Sequence, residues 1–308
     1  MNFEFRQRKI KPSIIALSIC IGLVLGTVFV LLGGYNVLEV YSYLIRGSLG
    51  SVSALSSTIR WTTAFLLCGI ASGIAFKGGM FNMGTEGQLY MGAISATLVG
   101  IYCKGLPAIA HIPLCMLAGM VAGAIWASIP ALLRVYWNTS EIVVTLMMNY
   151  IAIQFIMFLQ YQPAWQEERT SFPKIRMLDA SAYLPKVFGV HIGWIISLIL
   201  VFVAYIYIAK TKHGYEISVV GDSPNTARYA GINVSRVLIR TMFLSAALCG
   251  LVGFLQVSGS DGTLTENTAN GVGFTAITVA WLAKMNPFAM VLVSLFIAVL
   301  ESGSSSIQ

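Results

Sequence analysis

FKGGMFNMGTEGQLYMG, residues 76–92, stands between two long apolar runs and holds five glycines together with Asn82, Thr85, Glu86 and Gln88. What surrounds it decides the fold. The 308-residue chain is 57% hydrophobic and only 10% charged, with mean hydropathy +0.79, whereas soluble domains carry about 25% charged residues. So few charges cannot cover a globule of this size, whose surface would then be largely apolar. The chain is therefore read as an integral membrane protein. A charged group near mid-membrane costs at least ~2.5 kcal/mol and so faces protein or a water-filled cavity. Residues 76–92 thus mark an unusual point in the bundle.

Apolar segments able to cross or nearly cross a bilayer lie at about 13–33, 59–76, 86–102, 113–133, 141–160, 194–209, 241–258, 271–283 and 287–301. They lack period-2 alternation, and a helix satisfies every backbone group within itself. The predicted fold is all-α: a single transmembrane domain over 1–308 with about nine spans. The short segments 86–102 and 271–283 each abut a glycine-rich polar stretch and read as broken or half helices near the centre. The apolar run following MNFEFRQRKIKP has no small-residue cleavage pattern after it and reads as the first span, anchored by Arg6, Arg8, Lys9 and Lys11. With the N-terminus cytoplasmic and spans alternating, twelve of the nineteen Lys and Arg fall inside, which supports that orientation. The loop 161–193, with Pro163, Trp165, Pro173 and Pro185, reads as an irregular extracytoplasmic cap.

Cys20, Cys68, Cys103, Cys115 and Cys249 form no CxxC pair, and His111, His191 and His213 are far apart in sequence. Neither a disulfide framework nor a metal site is expected; the cysteines read as lipid-facing and the histidines as loop positions.

The largest predicted cytoplasmic segment is 210–240, where Lys210, Lys212, Arg228, Arg236 and Arg240 outweigh Glu216 and Asp222 to a formal +3. Asp222 or Ser223 before Pro224 is a helix start, and Gly231 is a stop. A short capped helix there reads equally as a docking element or as a loop made positive to fix topology.

VVGDSPNTARYAGINVSR resembles the coupling segment of permease subunits in ABC importers of the branched-chain amino acid, ribose and nucleoside superfamily. FNMGTEGQLYMGA, NTSEIVVTLMMNYIA (138–152) and GVGFTAITVAWLAKMNP (271–287) resemble three further signatures in the family's order, and fit the nucleoside and simple-sugar branch. The resemblance implies an ATP-driven permease translocating nucleosides or ribose-like sugars by alternating access, multi-pass in the bacterial inner membrane. It implies an ABC ATPase subunit, a related but different second permease and an extracytoplasmic substrate-binding lipoprotein as partners, and no nucleic acid. Gly221, Asp222, Pro224, Asn225, Arg228 and Gly231 would couple to the ATPase. Asp222 stands where the family often has Asn, and the family normally continues past residue 308 with another helix.

Asn82, Gly84, Glu86, Gly87 and Gln88 are expected as a broken-helix edge beside the pathway, with Glu86 read second as a cap for the following helix. Glu141, after Asn138, Thr139 and Ser140, reads first as capping chemistry and second as a gate. Asn149 reads as an interhelical hydrogen bond or as pathway lining. NGVGFTAIT (270–278) sits in the second half where FNMGTEGQL (81–89) sits in the first, pointing to an internal repeat with Thr275 and Thr278 as pathway candidates. No GxxxxGK[ST] occurs, so the chain is expected to be no enzyme, to hold no cofactor and to draw ATP energy from a partner. The alternatives are an ion-coupled secondary transporter, a membrane enzyme, for which the scattered histidines supply no cluster, and a channel, against which the lack of charged rings argues.

Overall fold

The computed structural model of the chain describes residues 12–167, 173–187 and 189–305. The anchor residues Arg6, Arg8, Lys9 and Lys11, together with Arg169 and Gln308, lie outside these residues, as does the side chain of Cys20.

Twelve α-helices are described: α1 (Pro12–Leu32), α2 (Val37–Leu49), α3 (Val52–Lys77), α4 (Thr85–Tyr102), α5 (Ala108–Trp137), α6 (Glu141–Gln160), α7 (Gly193–Lys210), α8 (Lys212–Asp222), α9 (Pro224–Tyr229), α10 (Val234–Gln256), α11 (Val272–Leu282) and α12 (Pro287–Ser304). Six of them, α3, α5, α6, α7, α10 with its following turn, and α12, are long and apolar enough to cross a membrane. A seventh is added if α1 and α2, bent by 117°, count as one span. Of the expected half helices, 271–283 is the 11-residue α11, whereas 86–102 is α4, at 18 residues as long as α7 and α12; the two complete the nine apolar segments. Sequence reading missed α2 and α8 because Glu39 and Arg46 interrupt the apolar run of the first and the second is amphipathic. It also began α3 seven residues late. Ser51 caps that helix, accepting from Ala54 N at 3.0 Å, and the Ser/Thr-rich first turns read as loop.

The packing carries a two-fold pattern. The core helices α3 and α10 run antiparallel: at the end of α3, a Cβ on Gly78 would stand 2.9 Å from the Thr241 methyl near the start of α10. Each then packs on the other half's following helices, α3 on α11 and α12, α10 on α4 and α5. This is the reciprocal arrangement of an inverted repeat, a common transporter device.

Glycine permits the tightest of these crossings. A Cβ on Gly250 (α10) would stand 2.1 Å from the Gly119 oxygen (α5), and one on Gly92 (α4) 2.4 Å from Gly250 Cα. Three backbones meet where no side chain fits, the small-residue packing that lipid solvent favours. A Cβ on Gly119 would lie 2.9 Å from Gly250 O and 3.2 Å from Gly92 O. Gly119→Ala is therefore expected to overpack the crossing by about 1–3 kcal/mol and to lower the melting midpoint in detergent by several degrees. An unchanged midpoint would show that the helices slide apart freely.

Two expectations need correction. Cys68, Cys115 and Cys249 are fully buried between helices and do not face lipid. The histidines are not loop residues: His111 lies in α5, His213 in α8, and His191 in β2 (Val190–His191), paired with β1 (Lys186–Val187) in a small hairpin. His111 Nδ1 pairs with Ser181 Oγ at 2.7 Å and its Nε2 with Val99 O at 3.1 Å, which ties residues 173–187 to α4 and α5. His191 accepts from Gly193 N, and its burial, with the Arg60 and Lys186 charges, pulls its pKa down to about 4. The ring stays neutral and holds the irregular cap against the bundle.

Candidate functional site

The loop between α3 and α4 is where the opening stretch becomes geometry. Gly79 at φ 78° ends α3, with Met80 N donating to Ala75 O and Gly79 N to Phe76 O, a glycine-terminated C-cap. The chain then turns into α4. Helix starts leave orphan N–H donors, and here side-chain amides take them. Asn82 Oδ1 accepts from Gly84 N at 3.1 Å, and Asn149 Oδ1, reaching from α6, accepts from Gly87 N at 2.8 Å. Asn149 Nδ2 donates back to Met83 O at 2.9 Å. Asn82 and Gln88 pair amide to amide at 2.9 Å in both directions, and Asn82 Nδ2 also reaches Ser245 Oγ of α10 at 3.0 Å.

Glu86, in the first turn of α4, turns its carboxylate to the start of α11. Its Oε1 accepts from Gly271 N at 2.9 Å and its Oε2 from Gly273 N at 2.6 Å, the two flanking the start of α11. One buried carboxylate therefore sits between two helix N-termini, where both dipoles favour negative charge. Thr85 Oγ1 donates to Gly273 O at 2.9 Å beside it. Only glycine fits at 273, since a Cβ there would stand 2.4 Å from Glu86 N.

Asn82, Gly84, Glu86, Gln88 and Asn149 are thus brought into one hydrogen-bonded cluster. Thr275 is not part of it; it lies half-buried in the first turn of α11, with Thr278 exposed one turn on. Gly84, Gln88, Trp126, Thr145 and Met148 close around a crevice beside the cluster that is too narrow to admit water. Glu141 differs from expectation: Ser140 makes no capping bond, and the Glu141 carboxylate pairs instead with Arg134 at 3.2 Å, bridging α5 to α6.

The second group is the segment 210–240. Thr211 caps α8, and Ser223 rather than Asp222 caps α9, accepting from Thr226 N at 3.3 Å ahead of Pro224 at the first position. Gly231 follows with φ 74°. Ile217, Val220 and Ala227 bury the underside against Val234 and Val237 of α10. Glu216 accepts from Arg240 at 2.8 Å, and that bond, followed by the nearby His213, Arg240 and Lys212, holds its carboxyl below the ordinary range. The other face is bare: Asn225, Arg228 and Tyr229 project, with Tyr229 94% exposed. Asp222, the last residue of α8, sits at the turn between the two helices.

Gly221 links the groups. A Cβ there would stand 2.0 Å from the Lys77 carbonyl oxygen, and one on Gly79 would lie 3.3 Å from Gly221 Cα. The backbone of the 210–240 segment thus rests directly on the backbone entering the Asn82–Glu86 cluster.

Residues 54–308 match the family model described as branched-chain amino acid transport system / permease component. This chain belongs to that family. Among its relatives, a glucose ABC transporter permease protein of Haloferax volcanii is 32% identical over 100% of this chain and 86% of its own. A guanosine ABC transporter permease protein of Bacillus subtilis is 31% identical over 94% of this chain and 84% of its own. A nucleoside ABC transporter permease protein of Lactococcus lactis subsp. cremoris is 31% identical over 97% of this chain and 85% of its own. No solved structure matches. The permease's polar cluster also includes Ser245 and the Gly271 and Gly273 amides, which sequence reasoning missed. Ser245 gave no local signal; the glycines did, as the second-half counterpart of the 81–89 stretch.

Proposed function

We propose that this permease subunit moves nucleosides or ribose-like sugars inward by alternating access, powered by a separate ABC ATPase. It would work in the bacterial inner membrane beside a related second permease and receive solute from a substrate-binding lipoprotein. In this reading the N-terminus and the 210–240 segment are cytoplasmic. The chain binds no cofactor of its own. The observation that carries the proposal is the contact of Gly221 with Lys77 and Gly79: a rigid, capped two-helix element with a bare face sits on the loop that leads to the helix-bridging carboxylate. Asn225, Arg228 and Tyr229, an exposed aromatic beside an arginine, have the make-up of an interface hot spot and would seat in the ATPase. Asp222, Ser223, Pro224 and Gly231 fix the element's shape. The cluster of Asn82, Gly84, Glu86, Gln88 and Asn149, with Thr275 on α11, would shape the pathway wall by holding α4 and α11 in register. The rival reading, an ion-coupled secondary transporter, needs a buried acid free to bind an ion, whereas both Glu86 oxygens already accept backbone N–H groups.

Arg228→Glu should lower uptake by the assembled importer at least about tenfold, the loss of roughly 1.4 kcal/mol of docking, while the chain still inserts. Solute-stimulated ATPase activity at the wild-type level in proteoliposomes would overturn the docking role, and uptake without any ATPase would overturn the whole reading.

A further inference from the structure

The outward stripes of the spanning helices differ in one respect. On α5 the exposed interior positions are Leu117, Val121, Ile125 and Ile129, and on α12 they are Leu292, Leu295, Phe296 and Leu300, all apolar as lipid contact demands. On α6 the opposite face packs inward through Met148, Asn149, Ala152 and Ile156, yet the outward stripe carries Tyr150, 65% exposed, and Gln154, also exposed. Gln154 is the fourteenth of twenty residues in α6, about 20 Å from one end and about 10 Å from the other, which puts it inside the hydrocarbon zone. Its amide has no hydrogen-bond partner among the described residues. An unpaired amide facing lipid would forfeit water's hydrogen bonds for nothing, so such groups face a cavity or another helix.

We propose that Tyr150 and Gln154 line the aqueous solute path and contact the solute there, resting on the proposed importer function and adding to it the residues that read the cargo. Four apart on one helix, the two side chains are neighbours. The phenol ring offers a face on which a nucleobase stacks, and the amide offers a donor and an acceptor together, matching the paired donor–acceptor edge of a base. The solute class this pair suits is an uncharged nucleoside. Asn149, the preceding residue, clamps Met83 and Gly87 from the other side of α6. Solute bound at Tyr150 would thus lie across α6 from the broken-helix cluster, with Asn149 on the inner face.

The test uses the complete importer, with ATPase, second permease and binding protein, in proteoliposomes. Gln154→Cys should react with a charged, water-soluble thiol reagent above the background of the chain's five native cysteines. A purine nucleoside should slow that reaction, while Ile125→Cys on the α5 stripe stays unreactive. Gln154→Leu should cut purine nucleoside uptake about tenfold, the worth of one net hydrogen bond, with subunit composition unchanged. Tyr150→Ala should do likewise. An unreactive Gln154→Cys, wild-type uptake by Gln154→Leu, or loss of the second permease from the purified Gln154→Leu complex would each overturn the assignment, the last by making Gln154 a subunit contact. Failure of the wild-type importer to carry any nucleoside or sugar would instead remove the proposed function, and the thiol accessibility would still report whether this face meets water.

Discussion

A Gly221→Val importer is expected to hydrolyse ATP and move almost no solute. The substituted Cβ would stand 2.0 Å from the Lys77 carbonyl oxygen and near Gly79 N at 3.2 Å, far inside any contact a real side chain tolerates. Relief requires α8 to lift off the end of α3 by the width of a side chain. The face formed by Asn225, Arg228 and Tyr229 is on the far side of α9 and keeps its shape, because Ser223 and the buried Ile217, Val220 and Ala227 still define it. Docking therefore survives while the mechanical contact does not. Uptake should fall at least about a hundredfold, equivalent to roughly 2.7 kcal/mol, with ATPase activity within a factor of about two of wild type. Side-by-side measurement of ATP hydrolysed and solute accumulated in proteoliposomes checks this. Coupled transport at the wild-type ratio would mean that force travels by another route. Should the valine variant fail to insert, Gly79→Ala addresses the same contact from the other side, since Gly79 adopts φ 78° and abuts Gly221.

How much of this was legible in the sequence depends on the range of the interaction. All nine apolar segments became helices because a lipid solvent allows no other open backbone state, and composition alone reports that solvent. The Ser223–Pro224–Gly231 punctuation was legible for the same local reason: caps and stops act within a few residues. The inverted packing was half visible, in the matched positions of 81–89 and 270–278. The partner of Glu86 was not. Its oxygens bond backbone amides 185 and 187 residues away, and a backbone amide leaves no side-chain signature except the glycine that lets the carboxylate approach. The same holds for Gly221, whose role comes from a missing side chain meeting a distant carbonyl. Helix α2 was hidden for a different reason, as its Glu39 and Arg46 made an amphipathic helix look like a loop.

The Glu86 variants separate capping from charge. In Glu86→Ala the Gly271 and Gly273 N–H groups lose their acceptor inside the bundle, and each bond to a charged group is worth about 1.5–3 kcal/mol. Of the hydrogen bonds described between α4 and the start of α11, only that from the Thr85 hydroxyl to Gly273 O then remains. Glu86→Ala should therefore lose nearly all uptake and melt many degrees earlier in detergent. Glu86→Gln keeps one acceptor but turns the other oxygen into a donor facing a donor, so it should retain part of the stability and less than about a tenth of the uptake. Glu86→Asp is short by one methylene and cannot span both amides, so it should resemble Gln in stability although it keeps the charge. A series in which Asp equals wild type would assign the role to charge alone. One in which Ala melts and transports as wild type would show that α4 and α11 need no latch. The ordering Glu above Gln and Asp, with Ala last in both melting and uptake, is what a two-pronged carboxylate between two helix starts requires, because its worth lies in satisfying both amides at once.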